Sequence, residues 1–119
     1  MNTNNHIILE SWIKMKDGFI KVATATPEIR VGDCEFNTEN IITLIKKAEE
    51  NNASIIVLPE LCITAYTCGD LFLQQALLEN AEKALFKIAK ATEKSDIISV
   101  VGLPIRYKSD LYNCGAIIQ

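Results

Sequence analysis

The chain has one histidine, His6, set in a polar N-terminal stretch. A Ser-His-Asp or Cys-His arrangement therefore has no base. Glycine is sparse. Gly18, Gly32, Gly69, Gly102 and Gly115 make neither GxGxxG nor a GxxxxGK loop, so no common type of nucleotide-phosphate cradle is visible. The four cysteines, Cys34, Cys62, Cys68 and Cys114, are irregularly spaced and form no CxxC pair. That argues against a zinc site or a disulfide scaffold and favours reduced thiols in a cytoplasmic protein. No cluster of carboxylates suggests a hard-metal site. No basic run exists and the formal net charge is −3, which argues against nucleic acid as a partner. No apolar run approaches the roughly 20 residues that span a bilayer. The opening MNTNNHIILESWIKMKDG lacks the basic and apolar regions of a signal peptide.

What is present fits one small soluble domain of 119 residues, 49% hydrophobic and 23% charged. Phe19 to Ala25 alternates and reads as a strand. A helix is expected from near Glu39, capped by Asn37 or Thr38, with Ile41, Leu44, Ile45 and Ala48 on one face and Asn51-Asn52 at its end. Ser54 to Leu58 is a continuous apolar run of the kind that suits a strand buried on both faces. A long helix is expected from Leu73 to Ala91, with Leu77, Ala81, Ala84, Leu85 and Ile88 as its stripe. Ile97 to Gly102 reads as a strand, Pro104 to Asp110 as a turn carrying Arg106 and Lys108, and Leu111 to Ile118 as a last, antiparallel strand. The order β-α-β-α-β-β predicts an α/β fold. The chain stops directly after an apolar strand, and reads as the first part of a larger domain.

One feature carries chemistry. Glu60 follows the apolar run, at the C-terminal end of a strand, where ligands bind in open α/β sheets. A carboxylate flanked by Leu58, Leu61 and Ile63 suits a general base. The competing reading is a structural acid that bonds backbone N–H groups of the following loop or ends in solvent.

The stretch IIVLPELCITAYTCGDLF, with FIKVATATPEIRVGDCEFNTENI before it and VVGLPIRYKSDLYNCGAII after it, resembles the carbon–nitrogen hydrolase (nitrilase) superfamily. It is most similar to the glutaminase domain of glutamine-dependent NAD synthetases, over Met15 to Gln119. The resemblance implies an α-β-β-α sandwich, here incomplete, and a Cys-Glu-Lys triad. In that triad the cysteine attacks a glutamine amide, the glutamate moves the proton, and the lysine stabilises the oxyanion. Glu60 matches the glutamate. Tyr66 matches a tyrosine that lines the substrate pocket, and a core aromatic with a bonded hydroxyl is the alternative. Nothing here matches the lysine or the nucleophilic cysteine, so the chain itself is expected to be inactive. Ala65 stands where the family has glycine, and would be strained if that position needs φ > 0.

The resemblance further implies glutamine or another small amide as substrate and a homo-oligomer at full length. It implies no nucleic acid, no membrane and no cofactor for this chain. ATP and magnesium are implied only for a separate synthetase domain. Residues 1–14 read as a non-native or disordered extension ahead of an incomplete domain at 15–119. Two other readings remain: another amidase or nitrilase of the superfamily, and a non-enzymatic α/β remnant.

Overall fold

The structure, a computed structural model, describes residues 18–119 and, ahead of them, only the backbone of two short strands. These are β1 (His6–Ile8) and β2 (Trp12–Met15). The expectation for residues 1–14 lies outside the described residues at positions 1–5 and 9–11. The elements that follow are β3 (Gly18–Thr26), α1 (Cys34–Glu50), β4 (Ile55–Val57), α2 (Gln75–Ala91), β5 (Ile98–Tyr107) and β6 (Asp110–Ile118). A five-residue 3-10 turn, Gly69–Leu73, precedes α2. The architecture is α/β with a mixed sheet. The strand order is β1-β3-β4-β5-β6, and β2 also pairs with β3. The β3-β4 and β4-β5 pairs are parallel; β6 returns antiparallel along β5 in the expected hairpin.

Helix α1 starts earlier than its sequence suggests. Asp33, not Asn37 or Thr38, is the N-cap, and its carboxylate accepts from the Phe36 N–H at 3.0 Å. Both residue types cap well, but Asn37 is fully buried and holds other chain segments instead. The helix ends as expected, with Asn51 as the C-cap and Asn52 left-handed at φ 61°. Ile41, Leu44, Ile45 and Ala48 form its buried face, in one core with Leu77, Ala81, Ala84 and Ile88 of α2 and the sheet. Each buried Ile or Leu contributes on the order of 1.5–3 kcal/mol.

Strand β5 runs five residues past its expected end and takes in Pro104 and Arg106. The reason lies in which way its backbone points. The carbonyls of Val100 and Gly102 face away from β6, accepting from Leu58 N and Ile63 N. By the two-residue period, the nitrogen of Pro104 also faces away from β6, so its missing N–H breaks no ladder bond. The turn shrinks to Lys108 and Ser109 between Tyr107 and Asp110. Arg106 is therefore a strand residue, and donates to Gln75 at the start of α2 at 2.9 Å.

Strand β4 is not buried on both faces. Ile56 is fully buried under the helices, whereas Val57 on the opposite face is 45% exposed. Thr24, Val57, Val100 and Ile117 are register neighbours on that second face. Both described helices pack on the other one, where Ala23, Ile56 and Val101 join the core. Among the described residues no helix is long and apolar enough to cross a membrane.

Candidate active site

The end of β4 is where the chain leaves the sheet. Leu58 N still donates to Val100 O at 3.0 Å, continuing the parallel ladder one step. Pro59 then offers no N–H and the ladder stops. The chain coils back on itself through bonds from Cys62 N to Pro59 O, Thr64 N to Leu61 O and Ala65 N to Leu61 O. Glu60 stands exposed at the mouth of this coil, while Leu61 to Ala65 are all buried behind it. The apolar neighbours expected to surround the acid turn inward, away from it.

Two residues of the coil are left-handed without being glycine: Leu61 at φ 51° and Ala65 at φ 79°. Such a conformation costs an L-residue roughly 1–2 kcal/mol. It persists only where the surroundings over-determine it. Here three distant segments do so. Ile63 N donates to Gly102 O at 3.2 Å, Gly32 N donates to Thr64 O at 2.8 Å, and Asn37 Nδ2 donates to Ile63 O at 3.0 Å. Asn37 also clasps Arg30, accepting from its N–H at 2.7 Å and donating to its carbonyl at 2.9 Å. At about 1 kcal/mol net for each bond, these ties are of the same order as the strain they hold.

The carboxylate is fixed from the hairpin. Asn113 Nδ2, on β6 opposite Pro104, donates to Glu60 Oε1. Asn113 also lines a shallow apolar depression of about 190 Å3 with Leu61, Phe72, Pro104, Leu111 and Tyr112. Sequence reasoning missed Asn113, because only a cross-strand register brings a residue 53 positions away onto the acid. Tyr66 is not a core aromatic: it is 65% exposed, at the other end of the buried segment from Glu60, and does not line this depression.

The cysteines are poorly suited to attack. Burial pushes the Cys62 thiol up to about 11, and its sulfur points at Gly102 O. Cys34 also lies at about 11, raised by burial first and then by Cys68 and Asp33 nearby. Cys68 is buried and donates to Thr64 O at 3.0 Å. Only Cys114, on β6, is partly exposed. Among the described residues no three His, Cys, Asp or Glu side chains gather as a metal-donor set. A second depression, of about 390 Å3, lies between the start of α1 and α2, and there Lys87 pairs with Glu39.

Comparison with known proteins agrees with this fold. The family described as carbon-nitrogen hydrolase matches residues 21–119. Glutamine-dependent NAD(+) synthetases are similar to the chain: that of Aquifex aeolicus is 39% identical over 100 residues, and that of Mycobacterium leprae 32% over 102. These matches cover 84% and 86% of the chain, but the chain spans only 17% and 15% of those relatives' length. The crystal structure of a glutamine-dependent NAD(+) synthetase from Cytophaga hutchinsonii superposes with a TM-score of 0.79 at 38% identity, over 84% of this chain and 17% of that one.

Proposed function

Because the chain belongs to the carbon–nitrogen hydrolase family, we propose that it is the glutamate-bearing N-terminal part of a glutaminase unit, with Glu60 as the general base. Its relatives are named glutamine-dependent NAD(+) synthetases, and glutamine is the substrate this reading assigns. In the family reaction a cysteine thiol attacks the glutamine side-chain amide. The glutamate takes the thiol proton and passes it to the departing ammonia. Water then releases the acyl group as glutamate.

The observation that carries this reading is the presentation of Glu60. An acid alone at a strand end is common, but this one is offered outward by a strained, cross-tied coil and held by Asn113. Tyr66, at the far end of the same coil, is assigned to the rim of the substrate site. The buried, high-pKa thiols of Cys34 and Cys62 make neither a nucleophile at neutral pH. The nucleophile and the oxyanion-stabilising lysine are assigned to the remainder of such a unit, and ATP and magnesium to a separate synthetase domain. The alternative of another small-amide hydrolase keeps the same role for Glu60.

The 119-residue chain supplied with glutamine is expected to release ammonia no faster than buffer alone. Turnover that disappears in Glu60→Ala would overturn the assignment of the nucleophile elsewhere.

A further inference from the structure

Behind the Glu60 coil runs β5, and the edge of β5 that faces away from β6 serves as its rail. Val100 O takes Leu58 N, and Gly102 O takes Ile63 N. Between these two bonds the chain must pass residues 59–62 across the face of Gly102. The passage leaves no room for a side chain there. A Cβ on Gly102 would lie 2.4 Å from Leu61 N, 2.8 Å from Pro59 O and 2.9 Å from the carbonyl carbon of Glu60. All three obstacles are backbone, so no rotamer change relieves them. Gly115, the register partner of Gly102 on β6, is different. A Cβ there would meet only Val100 Cγ1, at an ordinary 3.8 Å. Two residues beyond Gly115, towards the hairpin turn, stands Asn113, whose amide reaches the Glu60 carboxylate.

We propose that the β5-β6 hairpin is the device that places Glu60. Gly102 sets how closely the acid-bearing coil seats on the sheet, and Asn113 sets the direction of the carboxylate. Both are positioning residues: neither is assigned contact with substrate. The functional meaning rests on Glu60 being the working group, but the placement itself is read without any activity. A failure here is therefore separable from a failure of the catalytic reading.

The test uses the 119-residue chain and nuclear magnetic resonance. Asn113→Leu identifies the Asn113 side-chain NH2 signals by their disappearance, and is expected to leave Ile63 amide exchange unchanged. In the unmodified chain those NH2 signals should move as Glu60 is protonated. In Gly102→Ala, with the fold retained, they should no longer follow Glu60, and the Ile63 amide should exchange at least about tenfold faster. Gly115→Ala should change neither. Unchanged readouts in Gly102→Ala would overturn the proposal, as would the same changes in Gly115→Ala. Global unfolding of Gly102→Ala would also overturn it, by assigning this glycine to the whole core rather than to the coil.

Discussion

Two of the turns among the described residues share a backbone irregularity and differ in what holds them. In the hairpin between β5 and β6, Lys108 is left-handed at φ 57°; in the coil that carries Glu60, Leu61 and Ala65 are left-handed at φ 51° and 79°. The hairpin turn is exposed, two residues long, and explained by the strands it joins. The Glu60 coil is buried behind its acid, and its own internal bonds are joined by bonds to distant segments. Gly32 and Asn37 donate to it and the Gly102 carbonyl accepts from it. The local strain is similar and the anchoring is not, so long-range anchoring rather than an unusual φ marks the candidate site.

Cutting an anchor should have the largest effect on stability. Asn37→Ala removes a fully buried amide that serves Arg30 twice and Ile63 once. It is expected to cost about 3 kcal/mol in denaturant unfolding, because several buried partners lose their bonds at once. Ser109→Ala in the hairpin turn should stay within about 0.5 kcal/mol. Equal losses would erase the distinction between the two turns.

A smaller effect follows from pH. Cys62 sits inside the coil with its thiol held up to about 11, against an ordinary value of 9.0. Between those values the unfolded chain has lost a proton that the folded chain keeps. Stability therefore falls as pH rises from about 9 to 11, by up to about 2 kcal/mol from this group. Cys62→Ala should flatten its share of that slope in unfolding curves measured across the window. An unchanged slope would count against a buried thiol in the coil.

The smallest effect concerns the strain itself. Ala65→Gly and Lys108→Gly each remove a left-handed penalty, and each should raise stability by about 1 kcal/mol or less. Similar gains would confirm that local strain is alike in the two turns. A gain only at Lys108 would mean that the coil's anchors, not its φ values, set its energy.

Much of this was legible before folding. The apolar run ending at Leu58 located the strand end, and Glu60 followed it. The stripes on α1 and α2 were readable because burial of one face imposes a 3.6-residue period. Ala65 was singled out as a glycine-like position, and it has the positive φ that this implied. What escaped depends on partners distant in sequence. Asn37 looked like a cap because its type caps well; its recruitment by Arg30 and Ile63 is tertiary. Pro104 looked like a turn because its missing N–H is harmless only on an edge facing away from β6. Val57 looked buried because a continuous apolar run does not say which faces are covered. Gly102 closed the strand read from the sequence; it became a glycine inside a strand, the mark of a close backbone approach, only once β5 ran on to Tyr107. The acid that approaches it became visible only with the register.

The central claim is that Glu60 is the base of a glutamine-hydrolysing unit. The most direct measurement places residues 18–119 into the matching stretch of the Cytophaga hutchinsonii synthetase. NAD formation is then compared with glutamine and with ammonium as the nitrogen source. Glu60→Gln in that chimera should lower the glutamine-driven rate by about 10²–10⁴-fold and leave the ammonium-driven rate intact. Retained glutamine-driven turnover, or an equal fall with both nitrogen sources, would contradict the account.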